Sequence, residues 1–202
     1  MAFLTYAAPY VNFLPVDTQR FPKNTLSYFI GAPLAYAKNF SVDKTFILYS
    51  HLGDFKLENR QIAQSLKFDE YKYAVADVPF REKWNLQIRR NAAEETRLLK
   101  KLERKRPYCV LHEHGGEGSN FYKPISHLYG QEEFGNHIFI EALTDNPFDW
   151  IAIFEQAKTI AVIDSLHANV IEQMKIDTDK FLHIRSPALL TPVFREGWHF
   201  RE

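Results

Sequence analysis

The sequence is almost free of cysteine: Cys109 is the only one in 202 residues. A single thiol excludes an internal disulfide framework and suits a reducing compartment, so a cytoplasmic location is expected. An excess of one charge is missing too. Lys+Arg and Asp+Glu both count 25, which gives zero formal net charge. That balance removes the basic surplus behind sequence-independent binding to nucleic acid or a polybasic membrane anchor. No run approaches the ~20 apolar residues of a spanning helix, so no membrane span is expected. The start, Met1 to Tyr6, is apolar but has no basic stretch, and Pro9 and Asn12 interrupt it early, unlike a secretory leader. Internal repeats and low-complexity tracts are also lacking. So are a Gly-x-Ser-x-Gly elbow, a P-loop and a dinucleotide fingerprint.

What is present is ordinary globular material with one excess. Hydrophobic residues reach 46%, enough for a sizeable core without a disulfide or metal staple. Aromatics reach 15%, and such residues build cores, interfaces and sites that stack planar rings. The length fits a single domain, with a weak boundary near residue 80 as the one place to divide it. Residues 1–40 form an aromatic and proline-rich N-terminal segment. If exposed, it would suit a partner or a homo-oligomer contact.

Local patterns outline the elements. Leu26 to Tyr36 suits a helix interrupted by Gly31 and Pro33. Thr45 to Tyr49 and Tyr71 to Ala76 read as strands, and Glu58 to Lys67 as a short helix. Residues 81–105 read as a long amphipathic helix, with Trp84, Ile88, Leu98, Leu99 and Leu102 on its apolar face. After Pro107, apolar runs alternate with helical ones. Strands are expected at Tyr108–Leu111, His137–Leu143, Thr159–Ile163 and Phe181–Ile184. Helices are expected from about Phe148 to Lys158, capped by Asn146 with Pro147 next, and from Asp164-Ser165 through Met174. This order implies crossover connections. The expected fold is α/β, a Rossmann-like parallel sheet with helices on both faces in one domain.

Ligands of such sheets bind at the carboxyl ends of the strands. Three segments fall there. His112 to Asn120 contains three glycines whose backbone could approach an anion, or it is a plain surface turn. Thr144 to Pro147 reads first as a helix cap. Asp164-Ser165-Leu166-His167-Ala168-Asn169 ends a strand and opens a helix, whose free N–H groups and positive dipole end suit a diphosphate. Either Asp164 or Ser165 could instead merely cap that helix.

Several runs carry a resemblance. They are Val78 to Trp84, Arg89-Arg90-Asn91 with Glu94-Glu95, Pro107 to Glu113, Asn146 to Trp150, and Ile160 to Asn169. In this order they resemble bacterial and viral glycosyltransferase-like proteins, and specifically the nucleotide-sugar-binding half of two-domain enzymes of the heptosyltransferase kind. The resemblance spans roughly residues 70–185, with residues 105–190 as its core. It implies transfer of a sugar from a nucleotide-sugar donor to a glycan or other hydroxyl acceptor, with no metal or other cofactor required. It implies that Glu113, Ser119 and Asn120 face the donor, that Ser165 and His167 hold the diphosphate, and that Asp164 orders their turn. Only about 70 residues precede the matching region, too few for a second complete domain. The base that activates the acceptor normally comes from that other half. Within this chain His51 and Asp54 are its candidates, at the turn His51-Leu52-Gly53-Asp54.

Two other readings compete. A lone domain could bind a nucleotide or a partner without catalysis. Alternatively, His112 and His114, two residues apart on a strand, would point the same way and could bind a metal with Glu117 and His127. Cys109 lies inside an apolar strand and reads as a small core residue rather than a nucleophile.

Overall fold

The computed structural model describes residues 2–23, 25–48, 66–102, 106–115, 122–141, 143–174, 176–184 and 191–201. They fall into two compact units, Met1–Glu82 and Lys83–Glu202.

Among its described residues, the first unit is helical where it is regular. α1 spans Ala2–Ala7 and α2 spans Ala32–Ala37, the latter continuing from a π-helical turn at Ser27–Gly31. Tyr36 locks the adjoining loop: its hydroxyl donates to the Pro15 carbonyl (3.1 Å), and its ring lies 6.4 Å from that of Phe21. The expected strand at residues 45–49 is not formed over 45–48, where the backbone has no regular ladder. The expected strand at 71–76 is also corrected. Phe68–Val75 is a helix, α3. The Glu70 carboxylate accepts from the Lys67 backbone N–H (2.9 Å), satisfying one orphan donor of the first turn. Asp69 and Glu70 further favour a helix start there. Most of the expected 58–67 helix lies outside the described residues.

The second unit holds the sheet. The single helix expected over 81–105 is broken in two. A 3₁₀ turn at Phe80–Trp84 is followed by backbone without regular structure, and α4 occupies only Ala92–Leu102. Asn91 is the reason for the restart, since its side-chain oxygen accepts from the Glu94 N–H (3.3 Å). Arg90 holds this irregular stretch in place. Its guanidinium clamps Glu95 at 2.9 and 2.5 Å and Glu155 at 2.7 and 2.9 Å. Those two carboxylates raise its pKa above the ordinary value.

Five strands follow: β1 Tyr108–His112, β2 Asn136–Phe139, β3 Thr159–Ile163, β4 Asp179–His183 and β5 Trp198–Arg201. They pair in the order β2-β1-β3-β4-β5, and every pair is parallel. The Rossmann-like α/β arrangement is therefore present. β2 ends earlier than expected, and β5 is a strand the sequence patterns do not announce. Among the described residues, the helices between strands are α5 Gln131–Phe134, α6 Ile151–Phe154 after a 3₁₀ turn at Pro147–Trp150, and α7 Leu166–Gln173.

Alternation along β1 and β3 splits the core into two faces. Val110, Ile160, Val162 and Leu182 pack with Leu98 of α4, Ile151 and Phe154 of α6, and Ile171 of α7. Full burial of each such side chain contributes roughly 1.5–3 kcal/mol. The opposite face is thinner. Cys109, Leu111 and Ala161 meet Ile125 and Tyr129, with Phe134 and Phe181 only partly covered. Cys109 is a core residue, and burial pushes its thiol pKa up to about 12. Among the described residues no helix is long and apolar enough to cross a membrane.

Candidate functional site

The chain leaves β1, forms β2 on one side of it, and returns to form β3 on the other. The crevice beyond the carboxyl ends of β1 and β3 is thus a topological switch point, where open α/β sheets bind ligands. His112 is the last residue of β1 and sits opposite Val162 of β3. Beyond β3 come Asp164, buried in the turn, and Ser165, the N-cap of α7.

Ser165 has extended backbone (φ −147°, ψ 179°), and its hydroxyl accepts from the Ala168 N–H (3.4 Å). The same oxygen lies 3.1 Å from Nδ1 of His112. A hydroxyl can accept from a backbone N–H and donate elsewhere. Donation to Nδ1 would leave the ring hydrogen of His112 on Nε2. Asn169 closes the turn by donating from its side chain to the Ser165 carbonyl (3.0 Å). His167 stands edge-on to His112, with ring centroids 4.8 Å apart. Burial lowers the His167 pKa from 6.5 to about 4, so this imidazole is neutral near pH 7. The result is a helix N-terminus whose first-turn N–H groups lack intrahelical acceptors, flanked by a hydroxyl and two imidazoles. Such a corner can hold an anion by dipole and hydrogen bonds.

Glu113 is engaged within its own loop. One carboxylate oxygen accepts from the N–H groups of Ile125 (2.8 Å) and Ser126 (2.6 Å), and the other lies 3.4 Å from the Tyr122 hydroxyl. Burial pushes its pKa up, but the hydrogen bonds from Ser126, Ile125 and Tyr122 outweigh this and hold it below the ordinary carboxylate value. The loop 144–149 is likewise self-contained. Asn146 accepts from the Phe148 N–H as the expected cap, and Thr144 and Asn146 both donate to the buried Asp149 (2.6 and 2.7 Å).

His112 and His114 do not converge. His112 turns to Ser165 and His167, whereas His114 stacks on Tyr122 at 4.6 Å. Among the described residues no group of three His, Cys, Asp or Glu side chains is placed to hold a metal ion. His51, Asp54, Glu117, Ser119 and Asn120 lie outside the described residues. Of the expected site residues, the structure therefore brings together Asp164, Ser165 and His167. It adds His112 as the partner of Ser165. The two are 53 positions apart in the chain, and the sequence signals them separately, His112 as the end of an apolar strand and Ser165 as a helix cap. The chain matches no family model, no curated protein and no solved structure.

Proposed function

We propose that the second unit binds a nucleotide-activated sugar as part of a glycosyltransferase-like protein, which passes the sugar to a glycan or other hydroxyl acceptor. One observation carries the reading. The Ser165–His112 contact pins the ends of β1 and β3 together where the N-terminus of α7 opens onto the switch point. The donor diphosphate would lie across the first-turn N–H groups of α7, with Ser165 and His167 beside it and Asp164 ordering the turn. As the sugar departs, negative charge grows on that diphosphate. A preorganised helix terminus stabilises such charge without reorganising. Glu113 shapes the loop that borders the donor, and Ser119 and Asn120 are proposed to face the donor. His51 and Asp54 are the proposed sources of the base for the acceptor hydroxyl. The buried thiol of Cys109 and the lack of a spanning helix among the described residues suit the cytoplasm, where we place the protein.

Thermal unfolding against a panel of nucleotides and nucleotide sugars tests this. A ligand at about 100 times its Kd stabilises the folded state by about 2.7 kcal/mol. The expected result is stabilisation by at least one nucleotide sugar, and its loss in Ser165→Glu, which puts a carboxylate where the diphosphate would sit. If no nucleotide sugar stabilises the protein at millimolar concentration, the reading fails.

A further inference from the structure

The thinner face of the sheet is closed over β1 by the 3₁₀ turn Ser126–Leu128 and by α5. Beyond them, over β4 and β5, a cleft of about 540 Å³ opens. That size lies within the range of small-molecule sites, about 300–1,000 Å³. Strand alternation builds its floor. Asp179, Phe181 and His183 share one face of β4, and the register places His199 opposite Phe181 and Arg201 opposite His183.

The middle of the cleft is aromatic. His199 stacks on Phe181 with ring centroids 4.9 Å apart. Tyr129 and Phe134 present their rings edge-on to Phe181, at 5.3 and 6.5 Å. Tyr129 is held rigidly, because its hydroxyl and Nε2 of the buried His183 share a hydrogen bond of 2.7 Å. A rigid, partly exposed aromatic patch favours a flat ring over a flexible chain.

The two ends differ in charge. Arg201 lies at the carboxyl end of β5, with its guanidinium 5.7 Å from the Phe181 ring centroid. It is exposed and makes no ion pair with any described carboxylate. Lys123 and His127 also act on His183 at this end, and Lys123 donates to the Ile184 carbonyl (3.0 Å). Asp179 and Glu133 border the cleft elsewhere. Asp179 lies about 13 Å from His183 along β4. A guanidinium offers a flat fork that matches a carboxylate. The acidic border disfavours a ligand carrying several negative charges. We propose that this cleft binds a planar aromatic monocarboxylate, with the ring on Phe181 and His199 and the carboxylate on Arg201. This site uses none of the residues of the β1–β3 crevice and does not depend on the nucleotide-sugar reading.

Titration calorimetry of the full chain with benzoate, 4-hydroxybenzoate and indole-3-acetate tests it, with benzamide and acetate as controls. At least one aromatic carboxylate should bind saturably, and benzamide and acetate should each bind about tenfold more weakly, as loss of one charge-assisted contact or of the ring implies. Arg201→Gln should weaken the carboxylate about tenfold while leaving benzamide unchanged. Its exposed side chain makes an unchanged unfolding temperature the expected control. Ser165→Glu should leave carboxylate binding intact. The proposal is overturned if no aromatic carboxylate saturates at millimolar concentration, if Arg201→Gln has no effect, or if Ser165→Glu abolishes binding. Displacement of the carboxylate by a nucleotide sugar would also overturn it, since that would put both ligands in one site.

Discussion

The hydroxyl oxygen of Ser165 lies 3.1 Å from Nδ1 of His112, joining the ends of two adjacent parallel strands. The same oxygen caps α7. Ser165→Ala removes both contacts, and loss of an N-cap of this kind costs about 1 kcal/mol. His112→Ala spares the cap but frees the crevice. The expected pattern is lower stability in Ser165→Ala and weaker nucleotide-sugar binding in both variants. Denaturant melts without ligand and thermal shifts with it separate the two effects. Equal stability of Ser165→Ala and wild type would show that the cap contributes nothing.

Glu172 of α7 is only 1% exposed, and its side chain accepts four hydrogen bonds. One oxygen takes Trp84 Nε1 (2.8 Å) and the backbone N–H and Nε of Arg195 (2.8 and 3.0 Å). The other takes Trp198 Nε1 (2.7 Å). This single carboxylate fastens Trp84, at the end of the 3₁₀ turn, and the segment that leads into β5. Glu172→Gln turns one acceptor into a donor facing N–H groups, and should cost about 2–3 kcal/mol. Glu172→Leu leaves Arg195 without its anion and should cost more, about 3–5 kcal/mol. Urea melts read both. The network's structural role is rejected if Glu172→Gln shifts the midpoint no more than a surface Glu→Gln change such as Glu94→Gln.

The parallel sheet was legible because β1 and β3 are short, wholly buried runs ended by polar turns, and covered strands have that form. Tyr71, Tyr73 and Val75 alternate as a strand would, but Asp69 and Glu70 at the preceding turn decide for a helix. The long amphipathic pattern over 81–105 hid a capping residue, Asn91, inside an otherwise continuous apolar spacing. β5 carries one buried side chain, Trp198, and three exposed ones, too little pattern for a four-residue edge strand. In the site, Ser165 was legible because an N-cap is a local signal. His112 was not legible as its partner, because their contact exists only once β1 and β3 lie side by side. The cleft over β4 and β5 stayed hidden for the same reason, since half of its floor comes from β5.

The buried imidazoles give stability a definite pH dependence. Burial lowers the pKa of His167 and of His183 from 6.5 to about 4, and Lys123, Arg201 and His127 push His183 the same way. Between these values the unfolded chain binds more protons than the folded one, so stability rises with pH. Their contribution is complete above pH 6.5 and is lost as pH falls through about 4. Glu113, also held below its ordinary value, adds a loss of the same sign in the carboxylate range. Urea midpoints should therefore fall steadily on acidification below pH 6.5, and His183→Gln should flatten that slope. An unchanged slope in both His183→Gln and His167→Gln would show that neither histidine is held neutral.

Two glycines with similar φ angles give expectations of different size. Gly135 has φ +86° and Gly197 has φ +92°, a region that L side chains rarely adopt. A Cβ on Gly197 would meet nothing within 4 Å, so Gly197→Ala should cost only the conformational term, about 1–2 kcal/mol. A Cβ on Gly135 would lie 2.2 Å from the Pro107 carbonyl oxygen, which is backbone and cannot swing aside. That oxygen also accepts from the Asn136 N–H (3.1 Å), at the point where β2 joins β1. Gly135→Ala must therefore push β2 away from β1 as well as strain its own backbone. It should cost about 3 kcal/mol or more, within the range of strained or overpacked sites. Thermal melts of the two variants side by side measure the difference. Equal destabilisation would mean that β2 can shift freely along the edge of the sheet.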